Sequence, residues 1–340
     1  MTHARIGTWS LEIDLPLPDG ITAMYGPAGA GKTATLEAIA GFARPERGRI
    51  LIDDAIVFDA ESRVNLAPRR RRCGWVGWRD ALFPHMTVRQ NLLFAAGRWA
   101  RLERTKRVAE MLERFELADA LEMRPRDLTL ARRLRTEVAR ALITEPKVLL
   151  VDDRGAEGAD EALLRLVRTA FDGPVLWVTG RLDLCYSSAD QLALMEGGRV
   201  VGHGAAREVM ERPESMEAAR LAGISNVYAA TIAGLDPGRN QSRLECADFV
   251  LTGLYLKGHF KGDRVQVGIR AEDVRVHSGE LEPDVNYVPV QLVRMTERPR
   301  SVRLEFAGGV VAEISREQYA RQKDNRVWQV EFPPVALRVF

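Results

Sequence analysis

The segment GITAMYGPAGAGKTATLEAIAGF sets Gly26, Gly31, Lys32 and Thr33 in the spacing GxxxxGK[ST], after a run of β-formers and before a helical pattern. Such a loop constrains a fold more than any composition does. Its glycines let successive backbone N–H groups turn toward one centre, and the helix N-terminus adds its dipole to them. Gly26, Pro27, Ala28, Gly29, Ala30 and Gly31 therefore read as a phosphate cradle. Lys32 is placed to neutralise β- and γ-phosphate oxygens and Thr33 to ligate Mg²⁺. The expected ligand is ATP or a close nucleotide relative. A loop of this kind needs an acidic partner at the end of a buried strand, and KVLLVDD supplies Asp152 and Asp153, with Asp152 in the Mg²⁺ position.

The remaining pattern fits that expectation. Over the first two thirds, short β-rich runs alternate with longer helical ones, which predicts an α/β domain around a parallel sheet; Ile21–Tyr25, Val148–Val151 and Val175–Val178 are its clearest buried strands. Residues from about 91 to 137, rich in Arg, Glu, Leu and Ala, read as a helical insertion, with an amphipathic helix in GRWARLERTKRVAEMLERFEL packing inside it. From about residue 225 the chain turns to short alternating strands, giving a nucleotide-binding domain over 1–224 and a small all-β, OB-like domain over 225–340. NVYAATI at Asn226 resembles NYVPVQL at Asn286, which suggests two repeated β modules.

Composition excludes more than it identifies. With 49 basic and 47 acidic residues the formal charge is +2, which gives no electrostatic support for binding nucleic acid. The run Arg69–Arg72 lacks interleaved aromatics and reads as a solvated face. Cys73, Cys185 and Cys246 show no metal-site spacing, so a reduced, intracellular chain is expected, and no apolar run is long enough to cross a bilayer. His85 and His203 read as structural.

Taken in order, GFARPERGRI, LFPHMTVRQNL at Leu82–Leu92, ARALITEPKVLLVDD at Ala139–Asp153 and ADQLALMEGGRVVGHG at Ala189–Gly204 resemble the landmarks of ATP-binding subunits of ABC importers, most closely the molybdate type with its C-terminal TOBE/MOP-like β domain. The resemblance covers the whole chain. It implies a dimer of two such subunits, a homodimer being the expected form, with each ATP between the P-loop of one and the signature loop of the other. It also implies transmembrane permease subunits that receive the helical insertion, a cytoplasmic position at the inner face of the membrane, and an external oxyanion-binding protein acting indirectly. Molybdate or tungstate is the cargo of such relatives.

Four positions depart from that family pattern. Trp78 stands where relatives carry the Gln that senses Mg²⁺ and the attacking water. The signature loop aligns with Leu128, Thr129, Leu130, Ala131 and Arg132, which retains a hydroxyl but neither glycine. Asp153 replaces the general-base Glu, with its carboxylate about 1.5 Å further back, a retreat that costs on the order of a hundredfold in rate. Gly180 replaces the switch His. Arg132, Arg133, Arg154 and Arg181 are neighbours that could supply compensating charge. The expectation is an importer subunit with slow or impaired hydrolysis. The alternative, from another class, is a regulatory or dimerisation module that binds ATP without turnover.

Overall fold

The computed structural model describes residues 2–6, 9–77, 82–153, 159–278, 286–323 and 328–340. The chain divides into two compact units, Met1–Glu211 and Arg212–Phe340. The first contains β1 (Thr2–Ile6), β2 (Trp9–Ile13), β3 (Gly20–Tyr25), α1 (Lys32–Ala40), β4 (Arg49–Ile52), β5 (Ala55–Asp59), β6 (Val64–Asn65) and β7 (Cys73–Val76). There follow α2 (Val88–Ala95), α3 (Arg101–Arg114), α4 (Leu130–Leu142), β8 (Val148–Asp153), α5 (Glu161–Ala170), β9 (Pro174–Thr179), α6 (Leu182–Ser188), β10 (Gln191–Glu196), β11 (Arg199–Ala205) and α7 (Ala206–Glu211).

An eight-stranded sheet in the order β1-β2-β11-β10-β3-β9-β8-β7 carries the unit, and β10, β3, β9, β8 and β7 run parallel. KVLLV and PVLWV show no polar alternation because both faces of this sheet are covered. Leu149 and Val151 pack with Val88, Val108, Val138 and Leu163 of the helices α2, α3, α4 and α5. Val148 and Leu150 point the other way, into a core with Leu36 of α1, Ile50 of β4 and Phe58 of β5. The strand period of two continues into the acidic pair: Asp152 follows the row facing α1, and Asp153 the row facing the helical side.

The insertion opens with a capping box, in which Thr87 accepts from Gln90 N and Gln90 returns the bond. Within α3 only Val108 is buried, while Leu102 is 87% exposed; Arg98 and Arg107 stack on the Trp99 ring, 4.4 and 3.7 Å from its centre. The arginine run is not the uniform solvated face expected of it. Arg69, Arg70 and Arg72 are exposed, but Arg71 is 2% exposed, because the C-terminal carbonyls of α1 meet it inside the fold.

The second unit has α8 (Met216–Leu221), β12 (Asn226–Asp236), β13 (Gln241–Cys246), β14 (Val250–Leu254), β15 (Arg264–Ile269), β16 (Arg275–Ser278), β17 (Tyr287–Val290) and β18 (Leu292–Glu297). It continues through β19 (Ser301–Phe306), β20 (Val311–Ser315), α9 (Arg316–Gln322), β21 (Trp328–Glu331) and β22 (Arg338–Val339). Its sheets are β14-β13-β12-β15-β22, β16-β21-β17 and β18-β19-β20, around one core that includes Ile232, Val267, Leu304 and Val330. The late strand β22 thus completes the early sheet against β15, and the earlier β16 pairs with the late β21.

Two buried asparagines lock this exchange. Asn226 Nδ2 donates to Val311 O (2.8 Å) and Ile269 O (3.3 Å), while its Oδ1 accepts from Val311 N (2.6 Å). Asn286 does the same in reverse: Nδ2 donates to Thr252 O (2.9 Å) and Phe332 O (2.7 Å), and Oδ1 accepts from Thr252 N (2.6 Å).

Candidate functional site

The cradle lies at the C-terminal end of β3, where ligands of open parallel sheets are held. Two of its glycines are required by close approach. A Cβ on Gly26 would stand 2.0 Å from Met195 O, and one on Gly31, whose φ is +101°, would stand 2.3 Å from Leu11 Cδ2. The β10–β11 turn backs the loop, with Gly198 N donating to Ala30 O at 3.1 Å. Pro27, Ala28 and Gly29 form its exposed tip and Ala30 is buried beneath. Lys32 curls back so that Nζ donates to Gly26 O (2.7 Å) and Pro27 O (2.8 Å), which holds the ammonium over the loop. Gly31 is the N-cap of α1 and offers no side-chain acceptor to the first-turn amides, nor does any acidic residue stand in that turn. Those N–H groups are therefore available to an anion.

Thr33 begins the side-chain link to the neighbouring strand. Its Oγ1 donates to Asp152 Oδ2 at 2.7 Å, so the loop helix and the end of β8 meet through one hydroxyl and one carboxylate. Asp152 is 2% exposed and Asp153 7% exposed, the latter in register with Thr179 of β9. The structure brings Lys32, Thr33 and Asp152 together around the cradle. Hard oxygen donors of this kind suit Mg²⁺, which keeps several waters and uses few protein ligands. Among the described residues no group of three or more His, Cys, Asp and Glu could hold a metal. The hydroxyl–carboxylate pair beside an uncapped, Lys-bearing helix start fits MgATP without one.

The other sequence-selected positions are placed differently. Trp78 and Arg154 lie outside the described residues. Leu128 packs against the helical-side core, and Thr129 is the N-cap of α4, its Oγ1 accepting from Arg132 N at 3.3 Å. The retained hydroxyl thus serves its own helix. Leu130 is 54% exposed, Arg132 pairs with Asp119 and Arg133 with Glu137. Among the described residues, a Cβ at Gly180 would meet nothing within 4 Å.

From sequence Arg181 is one of several neighbouring cations; in the structure it ties this corner together. Its Nη1 donates to Ala159 O (3.1 Å), its Nε to Asp183 Oδ1 (3.2 Å), and Nη2 also pairs with Asp183. Those Asp183 hydrogen bonds push the guanidinium above its ordinary pKa despite partial burial, and the charges of Asp183, Asp153 and Asp160 add to them. Asp183 is correspondingly held below the usual carboxylate range by Arg181. The guanidinium thus lies in the field of Asp153, next to the side-chain-free Gly180.

A parallel sheet with a phosphate cradle at one strand end and a hydroxyl–carboxylate pair at the next defines a P-loop nucleotide-binding protein. Residues 12–155 match the family model described as ABC transporter. The molybdenum import ATP-binding protein ModC of Rhodospirillum rubrum is 36% identical over 236 residues, 68% of this chain. That match spans 64% of the relative, just under two thirds of its length. The protein of the same name from Pseudomonas savastanoi pv. phaseolicola is 31% identical over 332 residues, 92% of this chain and 91% of that one. The chain therefore belongs to the ABC transporter ATP-binding proteins, alongside molybdenum-import members. A solved structure described as the ATP-binding subunit of an ABC transporter superposes with a TM-score of 0.51 at 22% identity, covering 62% of this chain and 90% of that one, a likeness of fold.

Proposed function

We propose that this chain is the ATP-binding subunit of an importer for molybdate or a related oxyanion, and that it holds MgATP firmly while hydrolysing it slowly. The observation that carries the binding reading is the junction of Lys32, Thr33 and Asp152 around an N-terminus of α1 without a side-chain cap. Backbone N–H groups of Gly29–Lys32 and the Lys32 ammonium bind and orient phosphate oxygens. Thr33 and Asp152 hold Mg²⁺, whose chemistry when bound is to offset phosphate charge. Asp153 is the remaining candidate base. The names of the molybdenum-import relatives support the cargo class.

Slow turnover is supported by the chain's own corner residues. Gly180 offers no side chain, and the Thr129 hydroxyl is engaged in capping α4. These changes affect both the P-loop side and the signature side of one chain. A homodimer would thus join two damaged halves in each composite site, and an intact partner would leave two half-damaged sites. The proposed setting is a dimer bound to a permease at the cytoplasmic face of a membrane; among the described residues no helix is long and apolar enough to span one.

Phosphate release by purified protein tests the reading. Slow release that Lys32→Ala abolishes supports a transport ATPase. Tight MgATP binding without release supports a regulatory module instead, and no nucleotide affinity at all refutes both.

A further inference from the structure

Arg71 is a fully buried cation whose recorded partners are all neutral. Its Nη1 donates to Ala38 O (2.7 Å) and Ile39 O (2.9 Å), its Nε to Leu66 O (2.8 Å), and its Nη2 to Asn65 Oδ1 (2.7 Å). Among the described residues no ion pair includes it. Burying a guanidinium without a counter-ion is costly unless something else supplies negative potential. Here that potential comes from the last turn of α1, whose free carbonyls carry roughly half a negative charge. The helix itself has no basic residue in that turn. Gly41 is shaped for the arrangement: its φ is +86°, and a Cβ there would stand 2.6 Å from Arg71 Nε.

The other end of this helix is the phosphate cradle. We propose that Arg71 is an electrostatic positioning residue for the phosphate loop: by neutralising the negative end of α1 it leaves the positive end uncompensated, and so raises affinity for ligand charge. The proposal rests on the reading of the loop as a nucleotide site. Helix α1 spans nine residues, about 13.5 Å. A unit charge removed at about that distance, across an effective dielectric constant of roughly 20 to 80, weakens binding about two- to eightfold per unit of ligand charge. A merely structural arginine would weaken all nucleotides alike.

The test compares ATP and ADP affinities, without Mg²⁺, by competition against a fluorescent ATP analogue in the full chain and in Arg71→Met and Arg71→Lys. Arg71→Met is expected to weaken both, and ATP by a further two- to eightfold relative to ADP, a difference that shrinks as salt is raised. Arg71→Lys keeps the charge but not the fork, so it should keep the ATP:ADP ratio within about twofold of the wild type while melting lower. Should Arg71→Met not fold, Arg71→Gln, which retains a donor for the helix carbonyls, carries the same expectation. Equal weakening of ATP and ADP by either neutral variant, or an equal change of ratio in Arg71→Lys, overturns the proposal. A wild-type protein that binds neither nucleotide overturns the parent reading as well; one that binds both, with a charge-blind loss in the variants, overturns this proposal alone.

Discussion

Restoring two side chains should speed hydrolysis without endangering the fold. In Asp153→Glu/Gly180→His, the first change carries the carboxylate about 1.5 Å forward, toward the reach that the family's base has. The second places an imidazole where a Cβ meets nothing within 4 Å among the described residues and where the backbone is not left-handed. Replacing that glycine should be neutral, or stabilising by about 0.4–1 kcal/mol through the unfolded chain. Asp153 is 7% exposed, so its extra methylene is expected to cost about 1–3 kcal/mol in packing. At roughly 2–4 °C per kcal/mol for a unit of this size, the melting temperature should fall by no more than about 12 °C. A misplacement of order 1 Å costs on the order of a hundredfold in rate. Phosphate release under saturating MgATP should therefore rise about ten- to a hundredfold, less than the full amount if the signature residues remain limiting. A rise smaller than about twofold, in a variant that still melts cooperatively and binds ATP as tightly as the wild type, would show that these two positions do not limit turnover.

Thr33→Val removes the donor to the buried Asp152 carboxylate, which should cost about 1–3 kcal/mol in stability and abolish the Mg²⁺ enhancement of ATP binding; an unchanged Mg²⁺ dependence contradicts the assigned role of Thr33. Asn226→Leu and Asn286→Leu each delete one clamp of the β unit and strand backbone groups inside it, so each should destabilise that unit by about 2–4 kcal/mol, read as a lower denaturant midpoint; a midpoint unchanged in both shows the clamps to be energetically idle. Burial pushes the thiols of Cys73 and Cys185 up to about 12 and that of Cys246 up to about 11. Because only the thiolate reacts, all three should stay neutral and resist maleimide at about pH 8, then label at once in urea; rapid labelling of the native chain would contradict the burial.

What the sequence revealed followed from how local each signal was. The cradle could be read because its function is encoded in eight consecutive positions, and Asp152 because a phosphate loop needs an acidic partner near the end of a buried strand, which the apolar run Val148–Val151 marks. Burial on both faces accounts for the strand runs at Val148 and Val175 and for the α/β class. The burial of Arg71 is not legible in the run because two of its four acceptors, the helix-end carbonyls of Ala38 and Ile39, lie more than thirty residues earlier, and Leu66 and Asn65 show no sign in sequence of facing it. Thr129 shows a similar limit: residue identity reveals a hydroxyl, but not that Arg132 N already uses it. The likeness of NVYAATI to NYVPVQL singled out Asn226 and Asn286, yet their partners, 34 to 85 residues away, became visible only once the strands were placed.

The position of β22 has a consequence for biosynthesis. Multidomain chains fold from the N-terminus as they leave the ribosome, and Met1–Glu211 can assemble its sheet from residues that have all emerged early. The second unit has no such freedom, since the edge of β15 stays open until Arg338–Val339 arrives, and Asn226 waits for Val311. A stalled or truncated nascent chain would thus expose a strand edge and two buried-type amides beside an already folded neighbour, the condition in which a chaperone, or another nascent chain, competes for the vacancy.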